Sequence, residues 1–365
     1  MNKQKGENMN NLKKLGLSAL AGSLVAVSAQ AGEIAVSGSA NVTWKSAADN
    51  SAKAIGTDKD VTFSGSGELD NGWSFAVGTL LDDAMAVSSS YTSLTMGSMG
   101  TLTFGTDNGG LSYAYDEEVP QVYEQTSDAQ QNSANIVGNA TDSNAIAYNA
   151  PALEIAGATV NIGIEYTPHA SDVGANDGGT TTYTAKRGSG QGAGVTIAYD
   201  ALKLGVYGAE IENATPSGTG DAEQDSFEGV WFATYSFGPV SIGYSESYLQ
   251  NGEADSNDAP EAATTAKTVR TATGIFESES MSIAFNVNDN LSISYTETDD
   301  TYDAQSNVKG GTEIADVTQN TEALQVAYSM GAMSVKAYNM ETTNPGYDSD
   351  AVKKSISEVA LGLAF

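Results

Sequence analysis

The chain has 365 residues, with 46 acidic and 16 basic side chains, a formal charge of −30 and no cysteine. So negative a field excludes nucleic acid as a partner, and the lack of thiols excludes disulfide staples, a thiol nucleophile and thiolate metal sites. Nothing approaches ~20 consecutive apolar residues, so any crossing of a bilayer has to be made by strands.

Lys13 and Lys14, the apolar stretch Leu15 to Val27 and the small-x-small sequence Ala29-Gln30-Ala31 predict an export signal over 1–31 with cleavage before Gly32, Met9 being an alternative start. That segment carries four lysines and one glutamate, so its removal leaves −33. Residues 32–365 show no linker or composition break and are expected to form one domain.

From Ile34 onward, apolar and polar residues alternate in runs of about eight to ten, a period of two that specifies strands. The runs come in pairs joined by tight turns: Asp70-Asn71-Gly72, Ser98-Met99-Gly100, Pro151, Asp200-Ala201, Gly238-Pro239, Asn288-Asp289-Asn290 and Met330-Gly331-Ala332. Longer acidic insertions separate the pairs. Pairing the terminal runs, Ile34/Val36/Ala40/Val42/Trp44 with Val359/Leu361/Leu363/Phe365, gives about sixteen strands, or eighteen if Thr268 to Phe276 forms an extra pair. The pattern predicts a closed antiparallel transmembrane β-barrel with short periplasmic turns and long extracellular loops. Trp73, Trp231, Tyr148, Tyr199, Tyr235, Tyr244, Tyr295 and Tyr328 fall near run ends as interfacial girdles do. The other phase reads as small and polar, suiting a wet lumen. An acidic secreted β-protein acting as a binding or adhesion module has the same alternation and stays open as the alternative.

A signal ending Ala-Gln-Ala, a first strand Glu33-Ile34-Ala35-Val36-Ser37-Gly38, a terminal Phe365 and the hairpin Tyr91 to Thr106 with its Gly-Thr-Leu-Thr-Phe-Gly ending are together similar to the Gram-negative general porins, particularly the alphaproteobacterial kind. The resemblance implies a sixteen-stranded homotrimer in the outer membrane, set in lipid and lipopolysaccharide, passing small hydrophilic solutes passively. It also implies that the insertion Thr106 to Ser143 is a third loop folded inward as a constriction. Its carboxylates are Asp107, Asp116, Glu117, Glu118, Glu124, Asp128 and Asp142, with no Lys or Arg. Same-sign charge in a channel with low-dielectric walls concentrates counter-ions, so cations are expected to pass preferentially; each carboxylate is equally compatible with a solvated outer rim.

In that family, basic side chains on the wall oppose the acidic loop. Here Lys203 and Lys336 alone fall clearly in the inward phase and are the candidates for that wall. Asp255-Ser256-Asn257-Asp258 and Asp299/Asp300/Asp303 are candidates for a structural calcium ion or a calcium bridge to lipopolysaccharide. No other cofactor is expected. The one histidine, His169, sits beside Pro168 with Asp172 nearby, and a lone loop histidine is a poor basis for catalysis, so no enzyme activity is expected. Gly188 to Gly194 lacks the Lys-Ser/Thr ending of a phosphate cradle and reads as a flexible loop entering a strand.

Overall fold

The computed structural model describes residues 33–47, 53–106, 110–127, 137, 145–168, 170, 187–213, 225–250, 274–303 and 315–365. The expected signal segment lies outside them. Among the described residues, seventeen strands run in chain order: β1 (Glu33–Ala47), β2 (Lys53–Glu68), β3 (Ser74–Leu81), β4 (Val87–Thr95), β5 (Thr101–Thr106), β6 (Ala145–Asn149), β7 (Leu153–Ile155), β8 (Ala158–Thr167), β9 (Arg187–Tyr199), β10 (Leu202–Asn213), β11 (Ser226–Phe237), β12 (Val240–Gln250), β13 (Ile275–Asn286), β14 (Leu291–Asp303), β15 (Val317–Met330), β16 (Met333–Thr343) and β17 (Lys354–Ala364). All pairings are antiparallel between neighbours, and β1 pairs with β17, so sixteen strands close a ring. Because β12 pairs directly with β13, no extra pair stands between them in the ring; of the suggested segment Thr268 to Phe276, residues 268–273 lie outside the described residues and Ile275 and Phe276 open β13.

The ring count is sixteen because β6 and β7 lie along the same neighbour: Asn149 pairs with Gly163 and Leu153 with Val160, both on β8. Between them sits Pro151, which has no N–H to give the ladder and breaks it. The expected reversal at Pro151 is therefore corrected. The chain turns at Ala156-Gly157, with φ of 51° and 87°. The other six short turns fall where the sequence places them, with Gly238 and Gly331 at φ near 60° supplying the left-handed residue each two-residue hairpin needs.

Alternation sorts the side chains onto two surfaces. Phe63, Phe285 and Leu361 are 42%, 37% and 38% exposed, whereas Ser282, Ser294, Thr296 and Thr321 are buried on the inner face. A soluble sandwich requires the reverse. Tyr199, Tyr235 and Tyr328 stand outward beside the short turns, and Trp231 and Tyr295 higher up, as an interfacial girdle does. Gly188 to Gly194, expected as loop, is part of β9. Its glycines leave space on the inner wall: a Cβ on Gly192 meets Glu165 Oε1 at 2.7 Å and the Tyr207 hydroxyl at 2.8 Å.

The two surfaces respond oppositely to charge. Val326→Arg, on the outer band, is expected to cost about 2–4 kcal/mol in lipid-reconstituted unfolding. Thr62→Arg, in the inner phase of β2, should change stability by less than about 0.5 kcal/mol. Equal penalties would contradict the lipid assignment of the outer face.

Candidate functional site

After β5 the chain turns into the lumen and lies against the inner wall. Leu111 N–H donates to Glu165 on β8, whose other oxygen accepts the Tyr207 hydroxyl at 2.6 Å. Tyr115 stacks on Tyr207 at 5.3 Å and tilts against Phe232 at 6.2 Å, in the space left by Gly194. The Pro120 carbonyl accepts from Ser282 on β13, and Val122 donates to Ser294 Oγ at 3.2 Å while packing on Ala284 and Ala327. Small residues in the inward phase thus serve as a seat that lets backbone approach backbone.

The far end of the loop is held more tightly. Gln325 Oε1 accepts from Tyr123 N at 2.8 Å and Glu124 N at 3.2 Å, and Gln325 Nε2 returns a bond to the Glu124 carbonyl at 2.6 Å. The Tyr123 hydroxyl donates to Glu358 Oε1 at 2.5 Å; Glu358 also accepts from Tyr338 at 3.2 Å and pairs with Lys45 at 3.3 Å. Lys45 and Glu358 are direct partners across the β1–β17 seam, so the loop is tied to the place where the barrel closes. Thr126 and Thr298 hydroxyls meet at 2.8 Å. Burial, then nearby Glu165 and Glu118, push the Tyr115 hydroxyl up to about 12; burial and the Glu358 bond raise that of Tyr123. Both hydroxyls stay protonated at neutral pH, and that of Tyr123 is the donor to Glu358.

Of the seven expected constriction carboxylates, Asp116, Glu117, Glu118 and Glu124 lie in this lumenal loop, and Asp107, Asp128 and Asp142 lie outside the described residues. Glu118 pairs with Lys203 at 2.5 Å, and Glu117 accepts from Thr126 N at 3.1 Å. Lys203 and Lys336 do point inward, but both touch the loop itself: Lys203 also lies 4.7 Å over the Phe232 ring, and Lys336 lies 5.1 Å over the Tyr123 ring. Their contacts place both against the loop itself. On the arc running from β1 to β2, the inward phase instead holds Ser37, Ser39, Asn41, Asp58, Asp60 and Thr62. Asp60 accepts a long 3.4 Å bond from Ser39, and among the described residues no ion pair reaches Asp58 or Asp60. Glu165, Gln325 and Glu358 were not singled out in the sequence. Their signal was a charged or amide side chain in the inward phase between apolar outward neighbours.

Of the calcium candidates, the described set Asp299, Asp300 and Asp303 does not converge. Strand alternation sends Asp299 and Asp303 outward and Asp300 inward. Among the described residues no group of three or more His, Cys, Asp or Glu is placed to hold a metal ion. Asp255, Asp258, His169 and Asp172 lie outside the described residues.

A family model described as Gram-negative porin matches residues 16–364. The chain belongs to the Gram-negative porins. It is an outer-membrane β-barrel, and its family and fold are those of a diffusion channel. A search of curated proteins by sequence finds no match. Among solved structures, OmpF of Salmonella typhi aligns with a TM-score of 0.61 at 14% identity, over 91% of this chain and 97% of that one. An anion-selective porin from Comamonas acidovorans gives 0.61 at 14%, over 92% and 100%. OmpT, an outer membrane protein of Vibrio cholerae in a trimer form, gives 0.59 at 15%, over 92% and 100%. At such identities these likenesses establish the fold alone.

The seat of the porin's loop is testable. Gln325→Ala strands three backbone groups of Tyr123 and Glu124, at about 1–3 kcal/mol each. Amide exchange at residues 123 and 124 should accelerate by at least about tenfold. Unchanged exchange would mean that Gln325 does not hold the loop.

Proposed function

We propose that this porin is a cation-preferring channel for small hydrophilic solutes, working as a homotrimer embedded in lipid and lipopolysaccharide and exported by a signal cleaved before Gly32. The observation that carries the charge preference is the pairing pattern in the lumen. Lys45 and Lys203 are each tied to a carboxylate, Glu358 and Glu118, whereas Asp58 and Asp60 face the lumen with no basic partner among the described residues. Asp82 and Asp83 add to the field at Asp60. Inside low-dielectric walls such unneutralised charge raises local cation concentration and repels anions. An anion-selective porin shares the fold, so the ring itself does not set the sign; the side chains on its inner surface do.

Planar-bilayer recording tests this. Purified protein should give stepwise ohmic currents, and a tenfold KCl gradient should produce a zero-current potential of cation sign. Asp58→Asn with Asp60→Asn should reduce that potential, and Lys203→Ala, which releases Glu118 from its partner, should increase it. A potential of anion sign, or indifference to all three substitutions, would defeat the proposal. An unboiled sample running as one large band that boiling converts to monomer is the expected mark of the trimer.

A further inference from the structure

Toward the loop-bearing rim, the inner wall departs from the small, polar lining that the sequence suggests. Leu249, Phe276, Tyr302 and Val317 occupy the inward phase of β12 to β15 and are buried. What covers them is the connection between β16 and β17. Its Tyr347 is fully buried, with ring centroids 5.1 Å from Phe276 and 6.1 Å from Tyr302, which themselves lie 4.8 Å apart. Gly346 N–H donates to Gln319 Oε1 at 2.7 Å, and Asn344 Nδ2 donates to the Thr318 carbonyl at 2.9 Å. The segment leaves the end of β16, crosses the inner face of β15 and β14, and seats its tyrosine against β13. Three inter-strand steps of ~4.8 Å amount to about 14 Å of reach across the mouth.

The backbone shows that this placement is held by side-chain burial. Asn344, Gly346 and Tyr347 all have positive φ, of 50°, 73° and 55°. A left-handed tyrosine is strained, and nothing in the sequence of the turn demands it. Burial of the ring, at about 150–250 Å² for an aromatic side chain, together with its two aromatic contacts offsets that strain. The hydroxyl contributes nothing: Tyr347 Oη is buried with no hydrogen-bond partner, as is Asp300 Oδ1 on the wall below. On the outer side, Lys353 pairs with Glu341 at 2.6 Å and anchors the returning chain beside β16.

We infer that the β16–β17 connection is a strap that forms a second constriction at the mouth, outward of the loop that follows β5, and that Tyr347 is the residue that positions it and so limits conductance. The two constrictions share a wall. Thr126 of the first reaches Thr298, two residues along β14 from Asp300, and one apolar cluster runs from Leu111 and Tyr115 through Phe232 and Leu249 to Tyr347. Solutes therefore meet a narrowed mouth before they meet the charged passage.

The inference rests on conduction but not on its charge preference. Single-channel conductance in KCl and the size cut-off for polyethylene glycols are to be measured for wild type, Tyr347→Ala, Tyr347→Phe and a chain in which residues 345–350 are replaced by Gly-Gly. Tyr347→Ala and the replacement should raise conductance roughly 1.5- to 2-fold, because current follows the open cross-section, and should admit larger polymers. Tyr347→Phe should match wild type, because the hydroxyl has no partner. The Gly-Gly chain answers the question even if Tyr347→Ala fails to fold, and the shift in migration on boiling reports an intact barrel. Wild-type conductance in both loosened variants, or a rise in Tyr347→Phe, overturns the strap. A silent wild type would instead defeat conduction itself.

Discussion

Between Ser39–Ala47 and Ile356–Ala364 the first and last strands pair residue for residue, and Gly38 and Phe365 exchange both backbone hydrogen bonds at 2.9 and 3.0 Å. In hydrocarbon an unpaired N–H or C=O costs several kcal/mol, so a sheet of this length is tolerated there only when both edges are consumed. Ring closure then fixes almost everything else. Every strand must present an apolar phase outward, successive strands must alternate direction, and the terminal Phe365 must lie on the rim of the short turns. The Lys45–Glu358 pair sits on this seam, in the lumenal phase, so the same two strands that seal the barrel also carry the anchor for the tip of the inward loop.

A sealed ring leaves an interior with more inward side-chain positions than water-facing duties, and this chain uses the surplus to hold its own loops. Gly192 and Gly194 make room for Tyr115, Tyr207 and Glu165; Ala284 and Ala327 receive Val122; Gln325 replaces strand partners for two loop amides. Glu165 and Glu358 are buried carboxylates, an arrangement stable only because each is met by two or more donors. The loop after β5 is thus an internal layer of structure, with hydrogen bonds and an apolar cluster of its own. Among the described residues, Asp58 and Asp60 on the bare arc are lumenal carboxylates that no ion pair reaches.

The strands were legible because lipid imposes one rule on all of them: Leu324, Val326 and Tyr328 against Gln325, Ala327 and Ser329 admits a single interpretation. Pro151 misled because proline marks either a reversal or a broken ladder, and only the pairing with β8 distinguishes them. Gly188 to Gly194 looked like loop because inward glycines erase the alternation just where another part of the chain needs the space. The inward loop came from a resemblance, not from its own residues. Its partners stayed hidden because an inward Gln or Glu that binds backbone is indistinguishable, in sequence, from one that faces water. Phe276 and Tyr302 did leave a trace. They are aromatic residues in the phase opposite to Met281 and Tyr295, and an aromatic facing a lumen implies something packed upon it.

The outer surface carries its own boundary. On β13 the outward series runs Phe285, Ile283, Met281 and then Glu279 and Glu277; on β14, Leu291, Ile293, Tyr295 and then Glu297 and Asp299; on β15, Tyr328, Val326, Leu324 and then Glu322. Several of these acids are direct cross-strand partners, including Glu246 with Glu279, Glu279 with Asp299, and Glu322 with both Glu297 and Glu341. Like charges at that spacing repel, and an ionised carboxylate is not tolerated in hydrocarbon, so these rows must stand in a solvated, ion-containing layer. The hydrocarbon edge is therefore drawn between Met281 and Glu279, between Tyr295 and Glu297, and between Leu324 and Glu322. The strap and its aromatic seat, at Phe276 and Tyr302, lie beyond that edge, where the barrel stands clear of the membrane and the wall needs inner packing because lipid no longer supports it from outside.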